Sequence, residues 1–288
     1  MSTLTEAPKP AGSLLLAFQV KGKHCLVIGG GNVALSRVEH LIRANAKITV
    51  ITGGGNVCQE MKDYAANGKI HKLVEREFKS TDLTMYENVN KFSDVDQISD
   101  AASFDLIKSS VYNEIFAIVC CCIDNYALSE KIYYQCKYLR LPVNIADKPP
   151  LCDFYFGSMY NQENLQIMVS TNGKSPRLSR IVKDNIAKEF DGIDLNKAVE
   201  NLGLIRSRLR NLIPIDDDDV LNIDTRMNWI KTLTDFFTLK QWSELELIPP
   251  SSAPPYDNRH KYIDNIIKYF PDYPPSDFEE FKSVVICD

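Results

Sequence analysis

The 288-residue sequence has few histidines (4) and few tryptophans (2). It also lacks an excess of positive charge, with 33 Lys+Arg against 38 Asp+Glu for a net charge of −5. Each shortage excludes something. A net-negative chain is a poor match for nucleic acid or an anionic bilayer as its main partner, although local basic patches remain compatible with it. His24, His40, His71 and His260 are scattered, without HExxH or any other ligand spacing, so no metal site is expected and all four read as surface or core residues. Neither a G-x-S-x-G elbow nor a G-x-x-x-x-G-K-[ST] loop occurs, which removes support for hydrolase and P-loop chemistry. The longest strongly apolar run, Phe116 to Ile123, falls far short of the roughly 18–20 residues that span a bilayer. The first residues have no basic stretch ahead of their short apolar run and do not read as a signal peptide. There are eight cysteines but no CxxC pair, and the run Cys120-Cys121-Cys122 would alternate between opposite faces of a strand. That arrangement suits neither a tetrahedral zinc site nor mutual disulfides, so the thiols read as reduced, small apolar residues in a cytoplasmic protein.

With 44% hydrophobic and 25% charged residues, the composition is that of a globular protein, and the length suggests about two domains. The first half alternates strand and helix signals. HCLVIG (His24–Gly29) opens onto glycines and a helical pattern over 33–44. Lys47–Ile51 is a second strand, Lys69–Val74 a third, and Phe116–Ile123 a buried-type strand followed by a helix over 126–139 and a strand over Pro142–Ala146. This is an α/β pattern, and it predicts a doubly wound Rossmann-type parallel sheet over about residues 15–150. A polar segment from about Lys79 to Asn113 reads as an insertion with some helix and no assignable chemistry.

The pattern changes after Pro149-Pro150. Asp153–Met159 and Leu165–Ser170 predict an antiparallel hairpin. Ser175-Pro176 predicts a helix start with Ser as N-cap, and Leu178, Ile181, Val182, Ile186 and Phe190 form one apolar stripe. A hairpin and one helix, residues 151–191, are too few to bury their own faces, which predicts pairing with a second copy in a dimer. Residues 192–288 read as helical. One seam is expected through Val199, Leu202, Ile205, Leu209 and Leu212, a second through Met227, Ile230, Leu233 and Phe237, and a further helix over Lys261–Phe270. Asp216–Asp219 reads as a solvated loop and Pro249–Pro255 as a linker.

Gly29-Gly30-Gly31-Asn32-Val33-Ala34 fits G-x-G-x-x-A between a strand and a helix. The first glycine permits the turn, Gly31 lets backbone approach a pyrophosphate, and Ala34 lets helix and strand pack closely. The acid that usually follows at the end of the second strand is missing. Thr52 and Gly53 stand there, and no Lys or Arg between Val50 and Gln59 offers a 2′-phosphate a partner. NAD is therefore favoured, with Thr52 and Gly53 at the ribose and Phe78, a candidate adenine neighbour or a core residue, just past the third strand. Asp147 follows the last predicted parallel strand, where open α/β sheets hold their ligands, and suits a general base; the bland alternative is a helix N-cap or a salt bridge to Lys148. Asp153 is a weaker candidate, and Cys152, without companion ligands, reads as inert. Lys174, Arg177, Arg180 and Lys183 crowd the hairpin-to-helix corner, as either a site for a polyanionic small molecule or a solvated face.

VIGGGNVALSR (Val27–Arg37), NIADKPPLCDFYFG (Asn144–Gly157) and IMVSTNGKSPRLSRIVKDNI (Ile167–Ile186) together resemble the fungal siroheme synthase family, over about residues 15–190. The resemblance implies a three-part chain: a Rossmann domain, a small α+β dimerisation domain and a helical C-terminal domain. It implies oxidation of the tetrapyrrole precorrin-2 by NAD, followed by insertion of Fe2+ as a substrate into sirohydrochlorin. In the family the aspartate matching Asp147 serves both steps, and the substrate's carboxylates give Lys174, Arg177 and Arg180 a purpose. A dehydrogenase without chelatase activity fits the same residues. A nucleotide-sensing module fits less well, because sensing needs no carboxylate within NIADKP.

Overall fold

The computed structural model describes residues 12–53, 55, 57–87, 115–212, 220–247 and 260–286. The chain divides between Phe156 and Gly157 into two compact units.

In the first unit, strand alternation decides which core each side chain serves. From β1 (His24–Ile28), Cys25 and Val27 enter one core while Leu26 and Ile28 enter the other. β2 (Lys47–Thr52), β3 (Lys72–Glu75), β4 (Ile118–Cys121) and β5 (Val143–Ile145) join it in the order β3-β2-β1-β4-β5, with every pairing parallel. A sheet buried on both faces explains the unbroken apolar runs. Helices α1 (Asn32–Arg43) and α2 (Gln59–Ala66) supply Ala34, Val38, Leu41 and Met61 to the first core. The second core receives Ile132 and Cys136 from α3 (Tyr126–Leu139). This is the expected doubly wound sheet, and its order reverses between β1 and β4, where ligands of such sheets bind. Cys120 and Cys122 pack with the first core and Cys121 with the second, and every described cysteine is free. Burial pushes the thiols of Cys25, Cys122 and Cys136 up to about 12.

Some boundaries differ from expectation. The third strand begins only at Lys72, and the FAIVCCCI run is strand only over Ile118–Cys121. The expected strand from Asp153 begins at Ser158 instead, because residues just before it are used elsewhere. Cys152 bridges antiparallel to Asn144 beside β5, and Phe154 and Phe156 pack against the first core. Of the polar segment after Lys79, Ser80–Thr84 forms a short 3-10 turn; residues 88–114 lie outside the described residues.

In the second unit, β6 (Ser158–Gln162) and β7 (Leu165–Val169) form the antiparallel hairpin, turning through Glu163 and Asn164. Helix α4 (Pro176–Glu189) follows. Ser175 occupies the N-cap position without capping through its side chain; its N–H donates to Thr171 Oγ1 (3.1 Å). Ser179, the buried residue of α4, meets Ser158 hydroxyl to hydroxyl at 2.9 Å. That orientation leaves the predicted stripe outward, with Leu178, Ile181 and Val182 exposed by 51%, 41% and 39%. α5 (Leu195–Leu212) is tied to the hairpin through Leu195 N–H donating to Gln162 Oε1 (2.8 Å).

α5, α6 (Val220–Asp235), α7 (Leu239–Glu244), α8 (Lys261–Ile267) and α9 (Phe278–Ile286) enclose a core rich in aromatics, including Trp229, Phe237, Trp242 and Phe281. Both predicted seams reach the core through Leu202, Ile205, Leu209, Ile230, Leu233 and Phe237 but are offset at their ends. The inner face of α5 is Leu195, Ala198, Asn201, Ile205 and Leu209, while Val199 and Leu212 are exposed. Asn201 is the reason: its amide donates to the carbonyls of Trp242 and Leu245 (both 2.9 Å), so a polar side chain holds an interior place that an apolar pattern does not reveal. On α6, Trp229 and Leu233 face inward and Met227 outward, with Trp229 Nε1 donating to Asp272 O (2.6 Å). Asp216–Asp219 and Pro249–Pro255 lie outside the described residues. Among the described residues no helix is long and apolar enough to cross a membrane.

Candidate functional site

The glycine loop is held between two strands. Gly29 N–H donates to Ile51 O (2.8 Å) and Cys122 N–H donates to Ile28 O (2.7 Å), which pins the end of β1 to both neighbours. Gly29 has φ +125°, and a Cβ there would run into the carbonyl oxygen of Cys122 and stand 3.0 Å from its carbon. Only glycine combines that dihedral with that approach. Gly31 differs: it is the N-cap of α1 with φ −87°, and nothing lies within 4 Å of where its Cβ would be. α1 has no side-chain cap and no acid in its first turn. Its first amides therefore have no side-chain acceptor of the chain's own, and they belong to the exposed Asn32 and Val33, while Ala34 is buried against the sheet. An uncapped helix start with an unfilled glycine face is a fit for a dinucleotide pyrophosphate.

Two strands away, Ala146 N–H donates to Cys121 O (2.8 Å), and the chain then turns through Asp147 at φ +58°. A left-handed aspartate costs of the order of 1 kcal/mol and persists only where its surroundings impose it. Here they do. The Cys152 thiol lies 3.2 Å from both the Ile145 and the Lys148 carbonyl, spanning the turn, and Asn144 donates to Phe154 O (2.8 Å). Asp153 accepts from Val143 N–H (3.0 Å) and pairs with Lys137 (2.6 Å). Both of its oxygens are thus committed to structure, which removes it as a second catalytic candidate. Cys152, expected to be inert, is a brace; burial raises its thiol pKa and keeps it a hydrogen-bond donor.

Neither bland role for Asp147 is realised. The N-cap of the following short turn (Pro149–Leu151) is Lys148, whose ammonium sits 4.7 Å from the Tyr126 ring centre. Among the described residues the exposed Asp147 carboxylate has no hydrogen bond or ion pair. It does reach the Cys122 thiol electrostatically: burial raises that thiol, Arg37 opposes, and Cys121 and Asp147 add to the rise. Gly29, through its approach to Cys122, and Asp147, one residue past the Ala146–Cys121 hydrogen bond, thus lie at the same end of the sheet, on either side of β4.

At the end of β2, Thr52 is 4% exposed, with its hydroxyl 3.5 Å from Gly53 O. The group against Gly53 is the carboxylate of Glu77, an acid from the loop after β3 that inspection of the second strand alone does not find. Phe78 is half-buried on the second core. In the second unit, Lys174, Arg177 and Arg180 are all exposed around the start of α4; Arg180 Nε lies 4.0 Å from Asp184, and Lys183 is paired with the same acid. Among the described residues no group of three or more His, Cys, Asp or Glu is placed to hold a metal ion.

Residues 16–158 match a family model described as "Putative NAD(P)-binding". Residues 162–189 match one for "Sirohaem biosynthesis protein central" and 193–247 one for "Sirohaem biosynthesis protein C-terminal". The chain is 30% identical over 276 residues to a siroheme biosynthesis protein of Schizosaccharomyces pombe, covering 96% of this chain and 86% of the relative. It is 32% identical over 254 residues to a siroheme biosynthesis protein of Saccharomyces cerevisiae, covering 82% and 87%. Among solved structures, SirC, a precorrin-2 dehydrogenase, aligns with a TM-score of 0.53 at 17% identity over 79% of this chain and 94% of that one, a likeness of fold.

Proposed function

The chain belongs to the siroheme biosynthesis protein family, and from that premise we propose that it oxidises precorrin-2 to sirohydrochlorin with NAD+ and then inserts Fe2+ to form siroheme. The observation that carries this is an uncapped helix start after β1 and, at the same end of the parallel sheet, a free carboxylate on the left-handed turn after β5. Gly31, Asn32 and Val33 at the start of α1 hold the pyrophosphate, and Gly53 borders the ribose. NAD+ when bound supplies the hydride acceptor. In the oxidation the tetrapyrrole loses a hydride and a proton, and Asp147 takes the proton. In the chelation Fe2+ replaces two pyrrole N–H protons, and the same carboxylate accepts them in turn. Lys174, Arg177 and Arg180 bind substrate carboxylates, since guanidinium forks and ammonium groups match that chemistry.

Purified protein given precorrin-2 and NAD+ is expected to produce sirohydrochlorin and NADH in equal amounts. Given sirohydrochlorin and Fe2+ without NAD+, it is expected to produce siroheme faster than the uncatalysed rate. An uncatalysed rate in the second assay alone reduces the activity to the dehydrogenase.

The outward stripe of α4 supports a homodimer. Three exposed branched apolar residues in i, i+3, i+4 positions form a surface that a second copy of the hairpin and helix would bury. Sedimentation should give about twice the 32.6 kDa chain mass, and Ile181→Asp should shift the species to the monomer. A wild-type monomer at micromolar concentration would refute the pairing.

A further inference from the structure

We propose that Glu77 supplies, from the loop after β3, the ribose-binding carboxylate that the end of β2 lacks, and that it sets a preference for NAD+ over NADP+. The inference rests on the dinucleotide-binding reading given above. In sheets of this type the adenosine ribose meets the end of the second strand, where an acid accepts hydrogen bonds from its hydroxyls. Here Gly53 stands at that end. A Cβ on Gly53 would collide with Glu77 Oε1 and lie 3.1 Å from Glu77 Cδ, so the carboxylate occupies the space where an acidic side chain on β2 would begin.

Strand register brings the two together. Thr52 pairs with Glu75, and just beyond that pair the β3 chain turns alongside Gly53. The turn is pinned. Arg76 donates to the backbone carbonyl of Glu77 (2.8 Å) and grips both oxygens of Asp82 (2.6 and 2.8 Å), while Asp82, 3% exposed, also accepts from Lys79 N–H (2.7 Å). Glu77 itself is exposed, and among the described residues its carboxylate has no ion pair. A fixed backbone with a free carboxylate suits two vicinal ribose hydroxyls. A 2′-phosphate there would set anion against anion, and the nearby guanidinium that would offset it is already committed to Asp82.

Calorimetric binding of NAD+, NADP+ and the NAD+ analogue lacking the adenosine 2′-hydroxyl to wild type, Glu77→Gln and Glu77→Ala tests this. The wild type is expected to prefer NAD+ over NADP+ by at least about tenfold. Glu77→Gln should weaken NAD+ about tenfold without weakening NADP+. Removing the 2′-hydroxyl should weaken binding to the wild type but not to Glu77→Ala. Wild-type NAD+ affinity and discrimination in both variants, or a wild type that prefers NADP+, overturns the role of Glu77. A wild type that binds no dinucleotide overturns the dinucleotide reading itself, and Glu77 with it. Because Glu77 is exposed, the melting temperatures of the variants should match the wild type.

Discussion

Asp147→Asn is expected to lower the rate of precorrin-2 oxidation by about 10²–10⁴-fold, the usual contribution of a positioned general base, while NAD+ affinity stays within about a factor of two. Asparagine is the informative replacement because of the backbone. At φ +58° it is among the few residues that adopt the left-handed region readily, so the turn survives and only the base is lost. Alanine at the same place adds strain of the order of 1 kcal/mol and mixes a structural effect with the chemical one. Iron insertion should fall in the same variant if one carboxylate serves both steps. Oxidation at the wild-type rate by Asp147→Asn would remove Asp147 from the chemistry. A fall in NAD+ affinity matching the fall in rate would make it a binding residue.

Gly29→Ala and Gly31→Ala are expected to separate two functions that one motif joins. At Gly29 the new methyl meets the Cys122 carbonyl at a dihedral hostile to alanine, so strain and overpacking together should destabilise the fold by about 2–5 kcal/mol. The melting temperature should drop by several degrees or more, with dinucleotide binding lost as a consequence. At Gly31 no protein atom is close and φ is ordinary, so stability should change by less than about 0.5 kcal/mol. The methyl then occupies space kept for the ligand, and NAD+ should bind at least about tenfold more weakly. Equal stability losses in the two variants would mean that the open face of Gly31 is not reserved for a ligand.

Much of the first unit was legible because its signals are local. Short apolar runs at the strands, a glycine loop between strand and helix, and a carboxylate just past a strand end are each written within a few consecutive residues, and Gly29, Gly31 and Asp147 follow from them. The α4 stripe was equally legible, and its exposed residues are the surface that the proposed second copy would cover. The helical region is less legible. On α5 and α6 the apolar pattern extends to Val199, Leu212 and Met227, which face solvent, while Asn201 and Trp229 face the core. An apolar count places a helix but fixes its rotation poorly when one inward residue is an amide whose partners, Trp242 and Leu245, come from elsewhere in the chain.

By itself, then, the sequence determined a parallel α/β unit with a dinucleotide loop, a candidate base at Asp147, and a hairpin and helix with an unfilled apolar face. The tertiary structure decided what surrounds those residues. It placed Glu77 against Gly53, committed Arg76 to Asp82, and made the weaker candidate Asp153 and the inert Cys152 into braces of the Asp147 turn. The physical reason is that these contacts are fixed by strand register and loop closure between residues far apart in the chain. A local pattern specifies which residues face inward on an element, but only the packed sheet specifies which carboxylate stands beside which glycine.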